Sequence, residues 1–317
     1  MGRQLLHWTV FALIFLFAFG TVQNPWSTRY LHDLKAPATS VVNQNDPLYK
    51  KIVAAAQKYD EPAVNARIDR VWKAIPGYDG IQVDVKASYE KMKNDRRYNK
   101  DELVFREVEP KVHLKDLPPA PVYKGNPKKP MVSLMVNVAW GNEYIPKILK
   151  TLEEEHVHAT FFLDGSWVKN NPDLAKMIVE EGNEIGNHAY SHPNLKTMSP
   201  SKVSDELQKT NHVIRSTLEL KPKWFAPPGG SFGPQTVNVA DSLGMRTVLW
   251  TVDTIDWKNP RSSDMVQRVL QNVHSGSLIL MHPTKPTAEG LKAMIQGIRE
   301  RGYQIGTVSA LLSEDRL

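Results

Sequence analysis

The sequence predicts an α/β protein whose parallel sheet can close into a barrel, and two observations carry that expectation. Beyond Pro130, short apolar runs alternate with amphipathic helical stretches, the order that feeds parallel strands through crossover helices. No antiparallel excursion interrupts the alternation, which is what lets such a sheet curl round on itself. Strands are expected at 132–138, 159–163, 184–186, 224–225, 247–252, 278–281 and 304–307. Helices are expected at 146–155, 172–181, 200–218, 235–243, 263–273 and 288–301. Pro146, Pro172 and Pro200 suit a first helical turn, and Ser199 suits a cap.

The 317 residues suffice for one large domain plus a smaller one, and 41% hydrophobic with 23% charged residues argues against disorder throughout. The chain has no cysteine, so disulfides and thiolate ligands are excluded and any metal must be held by nitrogen and oxygen. A net charge of +6 suits work beside an anionic polymer such as a cell wall, or beside anionic lipid. No nucleic-acid-binding motif accompanies the charge, so nucleic acid is not an expected partner.

Residues 1–22 set an early Arg3 ahead of an uncharged apolar run from Trp8 to Phe19, which reads as an export signal. Ala18-Phe19-Gly20 offers small residues for cleavage, yet the stretch is also nearly long enough to stay as a membrane anchor. The chain is therefore expected outside the cytoplasm, secreted or membrane-anchored through this segment. Residues 23–45, polar and containing Pro25 and Pro37, read as a linker.

Residues 46–116 read as a small α/β module in which no motif carries chemistry, so it is a binding or spacing element or a packing annex. Asp46 caps a helix opened by Pro47, with Leu48, Ile52, Ala55, Ala56 and Tyr59 on one face. Pro62 opens a second predicted helix striped by Val64, Ile68, Val71, Trp72 and Ile75 and ended by Pro76-Gly77. Ile81, Val83 and Val85 alternate as a strand, a short helix passes through Tyr89 and Met92, and a strand through Val104-Phe105 closes the unit. The stretch 117–130 holds too many prolines for helix or central strand and reads as an extended linker to a domain at 131–317.

The stretch Gly182–Pro193 places His188 and His192 four residues apart. Imidazoles at this spacing converge on one cation if the backbone makes a helical turn or a tight loop, and Zn²⁺, Co²⁺, Ni²⁺ and Fe²⁺ accept such ligands. Two ligands do not complete a site. Around them stand Met131–Tyr144, His158-Ala-Thr-Phe-Phe-Leu-Asp164, Phe225-Ala226-Pro-Pro-Gly229, Asp253-Thr-Ile-Asp256-Trp257 and Leu280-Met281-His282-Pro283. Each follows the end of a predicted strand, where the working groups of a (β/α) barrel sit.

In this order the set resembles the polysaccharide deacetylase (NodB-homology) family over roughly residues 128–317, with details most like its sporulation-associated branch. The resemblance implies a distorted (β/α) barrel of about seven or eight strands. It also implies removal of acetyl groups from chitin, peptidoglycan or related sugars with a divalent metal such as Zn²⁺ or Co²⁺. His188 and His192 match the metal-binding histidines, His282 the general acid, and Asp256 the carboxylate that orients His282 and raises its pKa. Gly229 takes the position whose backbone N–H helps hold the oxyanion, and Trp257 walls the site.

The chain departs from the family pattern in its first motif. Where the family carries an aspartate base and an aspartate metal ligand, the catalytic position here is Asn137, and Val138 follows it. An amide does not accept a proton at neutral pH, and Val138 offers a metal no lone pair. Ala226 stands where the family has an arginine supporting the base. Asp164, at the end of the predicted 159–163 strand, is the candidate third ligand, against the simpler reading that it caps the turn at Gly165; Asp253 and Glu143 are further oxygen donors nearby in sequence.

Two functions follow. The first is a cell-envelope deacetylase-like hydrolase acting on N-acetylated sugars of peptidoglycan or spore cortex, with altered or weak catalysis. The second is a catalytically inactive polysaccharide-binding protein of envelope or spore assembly.

Overall fold

The computed structural model describes residues 44–316 together with Gly2, His7, Trp8, Val10 and Phe11. Most of the expected export signal and almost all of the 23–45 linker lie outside the described residues. Among the described residues no helix is long and apolar enough to cross a membrane.

The structure divides into two compact units, and not at the proline-rich stretch. One takes the described residues up to Ala55 with Asp84–Val104; the other takes Ala56–Val83 and everything from Phe105 onward. In the first unit, Asp46 accepts from Leu48 N at 2.8 Å and from Tyr89 Oη at 2.8 Å. Its carboxylate thus caps the helix Pro47–Tyr59 as expected and also ties it to the helix Val85–Met92, itself capped by Asp84.

In the larger unit the second helix expected after Pro62 is absent. Strands β1 (Arg67–Asp69) and β2 (Lys73–Ile75) instead form an antiparallel hairpin. Asp69 Oδ1 accepts from the N–H groups of Val71 and Trp72, which builds the turn and holds its carboxyl down to about 2. The apolar spacing that suggested a helix runs through β-branched residues, which sit equally well in a hairpin. Strand β3 (Gly80–Val83) pairs antiparallel with β4 (Phe105–Val108).

The main sheet takes β5 (Met131–Val138), β6 (Thr160–Leu163), β7 (Glu184–Asn187), β8 (Trp224–Phe225), β9 (Arg246–Thr247), β10 (Val252–Asp253), β11 (Leu278–Met281) and β12 (Gln304–Gly306). Its order is β10-β11-β5-β6-β7-β8-β9, with β12 beside the start of β5, and every pairing is parallel. This curled parallel sheet bears out the expected α/β class.

One strand was expected at 247–252; the structure has two short ones, β9 and β10, on opposite edges of the sheet. The linker expected at 117–130 instead packs in the gap between those edges. Val122 is fully buried and bridges to Val248 beside β9, while Lys124 bridges to Ser277 just before β11. Lys129, also buried, donates from Nζ to the carbonyls of Ala310 and Ser313. An extended, proline-rich chain suits an edge position, where few backbone donors are needed.

The two-residue period of β5 sorts its side chains. Val132, Leu134, Val136 and Val138 join the core under the helices, with Ile148, Leu152 and Met294. Met131 and Met135 face the sheet's interior with Phe162, Ala226 and Val248, and Asn137 falls on that same side of the strand. Val138 is thus taken up by outer-core packing, while Asn137 stands at the C-terminal end of the interior face.

Candidate functional site

Because the strands run parallel, every candidate group following a strand end lies on the same edge of the sheet. The segment after β7 is a tight loop, not a helical turn, with Ala189 at φ 63° and His192 at φ 54° in the left-handed region. Asn187 Oδ1 accepts from Ala189 N, and Glu206 Oε2 accepts from both Tyr190 N and Ser191 N at 2.9 Å. Glu206, on the helix Pro200–Leu218, is a positioning residue that the sequence reading missed. No spacing rule links a mid-helix glutamate to a loop sixteen residues earlier.

The loop brings the rings of His188 and His192 to 5.3 Å between centroids. His188 Nδ1 lies 2.7 Å from the carbonyl oxygen of Ala226, which only accepts, so Nδ1 carries the hydrogen and Nε2 keeps its lone pair. Any residue at 226 supplies that carbonyl, so the exchange of arginine for alanine leaves this contact untouched. Burial, and then the charges of His192 and His282, hold the His188 imidazole down to about 3. The GNHAYSHP and LMHP segments follow the C-terminal ends of two parallel strands, β7 and β11, of the one sheet.

On the other side, Asp256 is fully buried and every bond its carboxylate accepts comes from His282 or from the start of the helix after it. Oδ1 accepts from His282 Nδ1 at 2.9 Å; Oδ2 accepts from His282 N at 2.6 Å and from Thr287 Oγ1 at 2.7 Å. Burial alone would push the carboxyl up, but the bonds from His282 and Thr287 outweigh it and hold it below the usual range. Thr284 caps the helix Lys285–Glu300 that carries Thr287. The expected orienting contact between Asp256 and His282 is therefore in place.

A second wall also escaped the sequence reading. Trp140 stacks on His282 with ring centroids 5.8 Å apart and planes 9° from parallel, and remains 46% exposed. Its loop is held by Gly141 at φ 84°, where a Cβ would lie 2.0 Å from the carbonyl oxygen of Pro283. Asn142 fixes it further, accepting from Trp167 Nε1 and donating to Asn171 Oδ1. Trp257 is 54% exposed with the Lys258 ammonium 4.9 Å from its ring centre. Gly229 sits at φ 57° with open space where a Cβ would go, so it is conformation and not room that calls for glycine.

The remaining groups do not complete a metal site. Asp164 Oδ1 accepts from Ser166 N, Ser166 Oγ and Trp167 N at 2.6–3.1 Å, capping the helix Gly165–Asn170. Burial raises its carboxyl, offset in part by those bonds and by the charge of His192. The turn-capping reading of Asp164 is thus the one realised. Among the described residues no three His, Cys, Asp or Glu side chains gather as a metal-holding group. Asp253 Oδ1 is likewise taken up by Ile255 N. Asn137 is buried, and its Oδ1 has no hydrogen-bond partner. The donor set is two imidazoles and one amide, which does not fit the three-ligand site that the family resemblance implied.

A family model described as polysaccharide deacetylase matches residues 124–248. The uncharacterized protein YlxY of Bacillus subtilis is 47% identical over all of this chain and 99% of its own length. The peptidoglycan-N-acetylmuramic acid deacetylase PdaA of Bacillus subtilis is 32% identical over 62% of this chain and 76% of its own. Among solved structures, a protein of Bacillus anthracis described as a CE4 family pseudoenzyme is 51% identical and superposes with a TM-score of 0.80, covering 85% of this chain and 96% of that one. A mutant of it is described as having restored enzymatic activity. With the strand-end histidines, the buried Asp256 and these relatives together, the chain belongs to the polysaccharide deacetylase family.

Proposed function

We propose that this chain holds an N-acetylated cell-wall glycan in a deacetylase-type groove without hydrolysing it. The observation that carries this reading is the composition of the mouth. Asn137 stands in place of a base, Val138 is packed into the outer core, and Asp164 is engaged as a helix cap, so the two imidazoles have no carboxylate companion. Hydrolysis of an acetamide needs a group to take a proton from the attacking water, and an amide side chain does not. The likeness to a protein described as a pseudoenzyme points the same way, and relatives named as peptidoglycan deacetylases indicate the glycan class.

Slow residual hydrolysis is the second reading, favoured by the fully bonded Asp256–His282 pair, which retains the form of an acid able to protonate a leaving amine. Acetate release from N-acetylglucosamine oligomers and from peptidoglycan, measured beside glycan binding, separates the two. Binding with no acetate above blank supports the first reading; metal-dependent acetate supports the second.

A further inference from the structure

The chemistry of the β1–β2 hairpin is not used by the groups gathered around His188 and His282. Its sequence is Arg67-Ile68-Asp69-Arg70-Val71-Trp72-Lys73, three cations and three apolar residues around one acid. The apolar side chains are turned to water: Val71 is 61% exposed, Ile68 47% and Trp72 38%. Apolar side chains exposed next to one another, and rimmed by charge, are the kind of patch that marks an interaction site. The turn is also pre-built, since Asp69 accepts from Val71 N, Trp72 N and Arg67 Nη1 at 2.8–2.9 Å, and Lys73 Nζ donates to Arg70 O. Trp72 packs edge-on to Tyr123 with the Lys124 ammonium 5.6 Å from its ring centre, so a further cation stands beside the exposed ring.

The geometry points to this hairpin as a docking tip for an anionic lipid bilayer. Cations interleaved with apolar side chains are what a headgroup boundary accepts, the ammonium and guanidinium groups meeting phosphates while aliphatic and indole groups enter below them. A glycan fits less well, because a sugar ring stacks on flat aromatic faces and gains nothing from exposed Val71 and Ile68. The charge on the single acid is already engaged within the turn, so the surface met by a bilayer is cationic.

The absence of cysteine makes the test clean. The full chain with Val71→Cys is labelled with an environment-sensitive fluorophore and mixed with vesicles of phosphatidylglycerol or of phosphatidylcholine. Ser242→Cys, exposed at the end of the helix Pro234–Ser242, serves as the control that reports any bulk membrane attachment. The expected result is a blue-shifted, several-fold brighter emission from the Val71 label with phosphatidylglycerol only, quenched by brominated acyl chains and lost in Arg70→Glu/Lys73→Glu. The Ser242 label should not respond. A Val71 label that stays in water on anionic vesicles overturns the proposal. So does an equal response from both labels, or a shift produced without vesicles by peptidoglycan or by raising protein concentration.

Discussion

Around His282 the named polar groups answer one another: the Asp256 carboxylate takes four bonds from the residue and the start of the helix after it, and the ring is covered by Trp140. Around Asn137 they do not, since its Oδ1 is buried without a partner and the neighbouring Val138 belongs to the outer core. The two halves lie on one edge of one parallel sheet, yet only the first keeps a mutually satisfied network. A hydrogen-bonded acid pair is costly to lose piecemeal, because each removal strands the other partner in a dry place. The end of β5 has no such tie, so amide and valine stand there with the fold intact.

The sharpest way to break that contrast is to return a carboxylate to the interior face of β5. Asn137→Asp should raise acetate release from N-acetylglucosamine oligomers by about 10²–10⁴-fold over the native chain in the presence of Zn²⁺, whereas Val138→Asp would bury a carboxylate in the outer core and cost stability. No gain, in a variant that still folds, would mean that the deficit lies elsewhere in the mouth. Next in size, Asp256→Ala should destabilise the fold by about 3–5 kcal/mol in urea unfolding, since it leaves His282 and Thr287 without their buried partner. The matching substitution on the other side, Asn137→Ala, should cost far less.

Acid titration sharpens the comparison differently. An unfolded histidine titrates near 6.5, whereas native His188 is held at about 3, so below 6.5 the unfolded chain binds the extra proton. Stability should therefore fall as pH drops through that window, by about 1.4 kcal/mol per pH unit from this group. His188→Gln, which keeps a donor toward Ala226, should flatten that part of the curve in urea melts at neutral and mildly acidic pH. The smallest expected effect is that of Asp164→Ala: loss of a helix cap worth about 1 kcal/mol, with metal uptake unchanged. A variant that instead lost metal uptake would return Asp164 to the role of a ligand.

Much of this was legible in the sequence because period and position both act locally. The run at 131–138 is apolar on both faces and became the central strand; Ser199 and Asp46 sit one residue ahead of their helices and cap them. His188 and His192 stand out by their four-residue spacing, Asp256 and His282 by the resemblance to the deacetylase family, and all four follow a strand end. What was not legible depends on contacts distant in sequence or on choices between equal local patterns. Glu206 and Trp140 act on loops through tertiary geometry alone. The 62–75 segment satisfies a helical stripe as well as a hairpin, and only the Asp69 turn decides it. Proline density at 117–130 excludes helix but does not distinguish a free linker from an edge segment buried at Val122.

The most direct test is acetate release by the purified native chain from peptidoglycan and N-acetylglucosamine oligomers, with Zn²⁺ or Co²⁺ added and glycan binding followed in parallel. The account predicts measurable binding with acetate indistinguishable from blank. Sustained, metal-dependent acetate release from the native chain would contradict it.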